Sequence, residues 1–81
     1  MSAIEKLIER FRTCPSDFTW DELVRLLKSL GYEEKKGAGS RRKFRGGKLP
    51  SISLHAPHPG RIVKQYALRQ VRETLEKEGL L

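Results

Sequence analysis

Between Thr19 and His55 the apolar residues change their spacing, and that change fixes the class of fold this chain can adopt. Trp20, Leu23, Leu26, Leu27 and Leu30 recur at helical intervals, preceded by Thr19 with Glu22 three residues on, a pattern in which each side chain satisfies a free backbone donor of the first turn. Gly31 ends this helix. Beyond it come three short segments, Tyr32 to Lys36, Arg41 to Arg45 and Ser51 to His55, that alternate or are rich in strand formers and are bounded by glycine or proline. The connections Gly37-Ala38-Gly39-Ser40 and Gly46-Gly47-Lys48-Leu49-Pro50 suit antiparallel hairpins. Period two places Phe44 and Arg42 on one face of the second strand and Arg41, Lys43 and Arg45 on the other; in the third, Ile52 and Leu54 oppose Ser51, Ser53 and His55. The expected fold is α+β, with a three-stranded antiparallel sheet whose apolar face packs on helices.

Helical spacing also marks both ends of the chain. Ile4, Leu7, Ile8 and Phe11 define a short first helix over residues 3 to 12, stopped by Thr13-Cys14-Pro15-Ser16-Asp17 because proline biases the preceding residue away from the helical region. After the turn-like Ala56-Pro57-His58-Pro59-Gly60, a last helix is expected from Val63 to Lys77, burying Ala67, Leu68, Val71 and Leu75. Gly79 closes it, and Leu80 and Leu81 fold back onto the core. Eighty-one residues make one domain, 1–81, read as a helical extension over 1–13 and an α-β-β-β-α core over 19–81.

Charge narrows the choice of partner. From Lys35 to Arg72 there are eleven lysines and arginines, two histidines and no aspartate or glutamate. Seventeen basic against ten acidic residues give a net charge of +7 and a pI near 10.0, so the expected partner is a polyanion, nucleic acid first. A single cysteine, Cys14, excludes an internal disulfide and a Cys-rich zinc module and suits a reducing compartment, the cytoplasm. No apolar run approaches a membrane span, and glutamates occupy the N-terminus where a secretory signal needs an apolar core.

The order α-β-β-β-α is that of double-stranded-RNA-binding domains. The helix Trp20-Asp21-Glu22-Leu23-Val24-Arg25-Leu26-Leu27-Lys28-Ser29-Leu30-Gly31-Tyr32, the run Gly37-Ala38-Gly39-Ser40-Arg41-Arg42-Lys43-Phe44, the segment Ile52-Ser53-Leu54-His55 and the closing Glu78-Gly79-Leu80-Leu81 together resemble the HicA family of toxin-antitoxin toxins over about residues 19 to 81. The resemblance implies a double-stranded-RNA-binding-domain-like fold, cleavage of messenger RNA and neutralisation by a HicB-like antitoxin. Many members carry Gly-Ser-His at the start of the second strand, with that histidine taken as catalytic; here the matching residue is Arg41. Either another base serves, or the chain retains RNA binding without most of the cleavage.

Metal-free RNA cleavage needs a base for the ribose 2′-hydroxyl and cations for the charged phosphorus transition state. His55 is the best base on offer, being expected to face the same way as Arg41, Lys43 and Arg45; the plainer reading has it hydrogen-bonding the following turn or a phosphate. His58, between two prolines, reads as a turn residue. Lys35, Lys36, Arg41, Arg42, Lys43, Arg45 and Lys48 are the expected phosphate contacts, with Ser40 and its glycines either offering backbone N–H groups or simply forming the hairpin. No cofactor and no metal is expected, since the basic region lacks the clustered carboxylates of a two-metal nuclease. Trp20, Phe11 and Phe44 read as core, leaving Tyr32 and Tyr66 unassigned and base stacking without a platform. A noncatalytic RNA-binding module and an adaptor for an acidic protein are the rival readings.

Overall fold

The computed structural model describes residues 3–57 and 60–81. Helix α1 (Ala3–Arg12) and helix α2 (Trp20–Ser29) precede strands β1 (Glu33–Lys36), β2 (Arg41–Arg45) and β3 (Ile52–His55), and helix α3 (Gln65–Lys77) follows. The sheet is antiparallel in the order β1-β2-β3, so the α+β class and the α-β-β-β-α order after the first helix are as the spacing predicts. The turn at His58 and Pro59 lies outside the described residues, as do Met1 and Ser2.

Local chemistry sets the boundaries of α2. Glu22 N–H donates to Thr19 Oγ at 3.2 Å and Thr19 N–H donates to Glu22 Oε1 at 3.0 Å, closing the reciprocal cap. Arg10 from α1 adds a 2.6 Å bond to Glu22 Oε2 and a 2.7 Å bond to Asp17 Oδ1, and its guanidinium lies 5.2 Å from the centre of the Phe18 ring. One cation thus gathers the loop between the first two helices. At the other end Tyr32 N–H donates to Leu27 C=O and Gly31 N–H to Lys28 C=O, each at 3.1 Å, with Gly31 at φ +105°. This pair of reversed bonds satisfies carbonyls that the helix leaves free and needs a left-handed residue at that place. The end of α3 repeats it through Gly79 at φ +73° and Leu80 N–H on Leu75 C=O at 2.9 Å.

Alternation governs the sheet. Phe44, Ile52 and Leu54 are buried with Phe11, Phe18, Leu23, Leu26, Leu27, Leu68, Val71 and Leu75 in one core, while Arg41, Lys43, Arg45, Ser53 and His55 are exposed. Each fully buried leucine or phenylalanine of that core contributes about 1.5–3 kcal/mol. Tyr32 is also core, its hydroxyl donating to Pro50 C=O at 2.9 Å; burial, helped by the charge of Glu78, raises its pKa. Leu80 and Leu81 pack back onto the same cluster.

Helix α3 begins at Gln65, two residues later than the apolar spacing predicts. Val63 N–H donates to Phe18 C=O at 2.8 Å, Trp20 N–H donates to Arg61 C=O at 2.7 Å, and Thr19 pairs with Ile62 in a short antiparallel bridge. Residues 61–63 are therefore extended, held by a partner more than forty positions away in the sequence. Phe18, absent from the sequence-derived core, is fully buried beside this bridge.

Candidate nucleic-acid interface

The register of the sheet decides which basic residues act together. Across β1 and β2, Glu33 faces Arg45, Lys35 faces Lys43 and Lys36 faces Arg42; across β2 and β3, Arg41 faces His55 and Lys43 faces Ser53. Lys35, Arg41, Lys43, Arg45 and His55 consequently share the face turned away from the helices. The row from Arg41 to Arg45 is about 13 Å long at the usual rise per residue. Lys35 and Lys43 are like charges directly opposite one another, an arrangement that costs a sheet stability. Glu33 offsets part of it with a 3.6 Å contact to Lys35 Nζ.

Other members of the expected set stand apart. Arg42 points to the helix side: its Nε lies 3.9 Å from Glu34 Oε2, and its Nη1 donates to Gly39 C=O at 3.0 Å and Arg41 C=O at 2.9 Å. That guanidinium holds the hairpin together. Lys36, its cross-strand neighbour, is exposed at the same end, and Lys48 is exposed in the connection at the opposite end of the sheet. Ser40 lies in the β1–β2 hairpin, where Gly37 N–H donates to Arg41 C=O at 2.9 Å and Ala56 N–H donates to Ser40 C=O at 2.8 Å.

The bond from Ala56 to Ser40 also fixes which backbone groups β3 leaves free. In an antiparallel ladder paired and unpaired positions alternate, so Ile52 and Leu54 bond to β2 while the N–H and C=O of Ser53 and His55 turn outward along the edge of the sheet. Arg41 and His55 therefore form a non-hydrogen-bonded pair, the kind whose side chains lie closest. Ser40 Oγ stands 3.5 Å from His55 Nδ1. Imidazole and hydroxyl thus meet at one corner of the cationic face, on the strand position opposite Arg41.

That corner opens onto a cleft of about 410 Å³ between β3 and α3, lined by Ser53, His55, Pro57, Ile62, Lys64, Tyr66 and Gln70 among others. Tyr66 was left unassigned by the sequence, yet it is 59% exposed and sits in the wall of this cleft. Its signal was its place on the helix: it falls away from the stripe formed by Leu68, Val71 and Leu75, where an aromatic has no core to fill. Lys64 and Gln70, also missed, reach the same cleft from α3 and its approach.

Cys14 is buried and its backbone C=O accepts a hydrogen bond from the side-chain amide of Gln65 at 2.9 Å, so it serves the packing of the loop. Among the described residues no three of His, Cys, Asp or Glu come together as a metal-binding group, and no helix is long and apolar enough to cross a membrane.

A family model described as the HicA toxin of bacterial toxin-antitoxin systems matches residues 20–79. No curated protein and no solved structure matches the chain.

Proposed function

Since the chain belongs to the HicA family of toxins from bacterial toxin-antitoxin systems, we propose that it binds messenger RNA on the outer face of its sheet and cleaves it without a metal, with His55 as general base. The observation that carries this reading is the Arg41–His55 cross-strand pair. The position at which the family resemblance places a catalytic histidine is held by Arg41, but its partner across the ladder is a histidine, so an imidazole still addresses the same patch of surface. In the tautomer whose Nδ1–H faces Ser40 Oγ, Nε2 keeps the lone pair that accepts the proton of a ribose 2′-hydroxyl. The freed 2′-oxygen attacks the adjacent phosphorus, the 5′-oxygen leaves and takes up a proton from solvent while His55 later returns its own, and the products are a 2′,3′-cyclic phosphate and a 5′-hydroxyl. Arg41 and Lys43 supply positive charge where the phosphorus oxygens gain negative charge.

Binding rests on Lys35, Arg41, Lys43 and Arg45, with Lys48 extending the track at one end and Lys36 adding charge from the opposite face at the other; Arg42 contributes by holding the hairpin. About five phosphates engaged on single-stranded RNA give a log–log salt slope near −3.5. A HicB-like antitoxin neutralises the toxin by placing carboxylates over this face, which excludes RNA and relieves the repulsion between Lys35 and Lys43.

The test is cleavage of purified RNA in EDTA by the parent and by His55→Ala. The variant should lose about 10²–10⁴ in rate with its RNA affinity intact. Equal cleavage by the two proteins removes His55 from the mechanism. Arg41 itself favours a second reading, an RNA-binding module that no longer cleaves, and that reading takes over if the parent binds RNA tightly but leaves it whole.

A further inference from the structure

Resting on the proposed RNA-binding role, we infer that the cleft between β3 and α3 is a nucleobase site: it takes one unpaired base of the RNA strand, stacked on Tyr66, next to the phosphate that His55 addresses. Tyr66 and Ile62, 59% and 46% exposed, are the large hydrophobic side chains that the described residues leave open to solvent, and both line this one cleft. Scattered exposed apolar residues need no explanation, whereas two converging on a single concavity beside a histidine do. A volume of about 410 Å³ lies in the range of small-ligand sites, about 300–1,000 Å³.

The polar groups of the cleft match a base and not merely an anion. The outward-facing N–H and C=O groups of Ser53 and His55 run along the edge of β3, offering donors and acceptors in alternation, and the amide of Gln70 adds one of each. Among the described lining residues Lys64 is the one with a fixed charge, and none is a carboxylate. An aromatic face, a row of mixed donors and acceptors and one cation for the attached phosphate are the elements with which proteins hold splayed bases. A base in a duplex is stacked and paired and does not enter such a cleft. The site therefore selects single strands, on a fold whose order of elements is shared with binders of double-stranded RNA.

The experiment titrates a labelled 2′-O-methyl oligoribonucleotide, which lacks the attacking hydroxyl and stays intact, against the parent, Tyr66→Ala and Tyr66→Phe. Inorganic polyphosphate and a fully paired RNA hairpin serve as further probes. Tyr66→Ala should weaken the single strand about 5- to 150-fold with an unchanged salt slope, leave polyphosphate and the hairpin as they were, and keep the parent's thermal midpoint; Tyr66→Phe should bind as the parent does. The base site is refuted if Tyr66→Ala binds the single strand like the parent, or if polyphosphate loses affinity in parallel. Should Tyr66→Ala instead spare RNA and lose binding to polyglutamate, the cleft is a groove for an acidic protein segment and the inference fails. A parent that ignores the oligonucleotide in 50 mM salt overturns the RNA-binding role itself, a result distinct from the others.

Discussion

Reversing the charge of Lys43 should strengthen the fold and cripple the function. Lys43 faces Lys35 across β1 and β2 as a like-charged pair, and both are exposed. Lys43→Glu turns this repulsion into an attraction, and cross-strand charge pairs are worth about 0.2–1 kcal/mol each, so the swing should be about 0.5–1 kcal/mol. Glu33 already engages Lys35 at 3.6 Å, and solvent screens the pair, which keeps the gain inside that range. For a chain of this size the thermal midpoint should rise by about 2–8 °C. The gain should vanish near 1 M salt, where the screening length is about 3 Å. RNA binding should move the other way. One phosphate contact on a single strand adds about 0.7 to the salt slope, so at about 50 mM salt its loss in Lys43→Gln costs roughly tenfold in affinity, and its reversal in Lys43→Glu roughly a hundredfold. Thermal unfolding at low and high salt, paired with fluorescence anisotropy on one oligoribonucleotide, reads both effects. A Lys43→Glu protein that melts lower in dilute buffer, or that binds RNA as tightly as the parent, refutes the reasoning.

Three other outcomes are expected. Arg41→His introduced into the His55→Ala background should restore cleavage to within about tenfold of the parent, because the two positions address one patch; a dead double variant in gel-based RNA cleavage separates them. Burial pushes the Glu22 carboxyl up, but the bonds from Thr19 N–H and Oγ and from Arg10 outweigh it and hold its pKa below the ordinary 4.5. Its folded value being depressed, the stability it adds is complete above about pH 4.5 and drains away as pH falls through the folded value, so Glu22→Gln should flatten the acid limb of stability measured by urea unfolding from pH 6 to 3. Gly46→Ala should lower the urea midpoint by the equivalent of about 1–3 kcal/mol, since its new Cβ would stand 2.5 Å from the carbonyl oxygen of Gly31, a backbone atom that has little room to retreat.

What the sequence made legible was local. The cap at Thr19 and Glu22, the glycine that ends α2 and the alternation that turns Phe44, Ile52 and Leu54 inward all depend on residues within a few positions of one another, and each stands as the spacing predicts. The sharing of one face by Arg41, Lys43, Arg45 and His55 was legible for the same reason. What escaped depends on distant partners. Val63 read as the start of a helix until Phe18, Thr19 and Trp20 draw residues 61–63 into a bridge. Arg42 read as one more cation in a run until Glu34 and the hairpin carbonyls take up its guanidinium. Tyr66 could be excluded from the core stripe by its position, but only the packing of α3 beside β3 shows what it lines.

The bridge between residues 18–20 and 61–63 also bears on how the first helix relates to the rest. Arg10 grips Glu22, Glu22 grips Thr19, and Thr19 is tied to Ile62 in the cleft wall, so an unbroken chain of bonds runs from the N-terminal helix to the cleft. Helix α1 precedes the stretch that matches the family, yet it acts as a brace for the Ile62 wall of the cleft that His55 also lines. The working scaffold of this toxin thus extends upstream of its family boundary, and a protein trimmed to that boundary would keep its charges while losing the strut that aligns them.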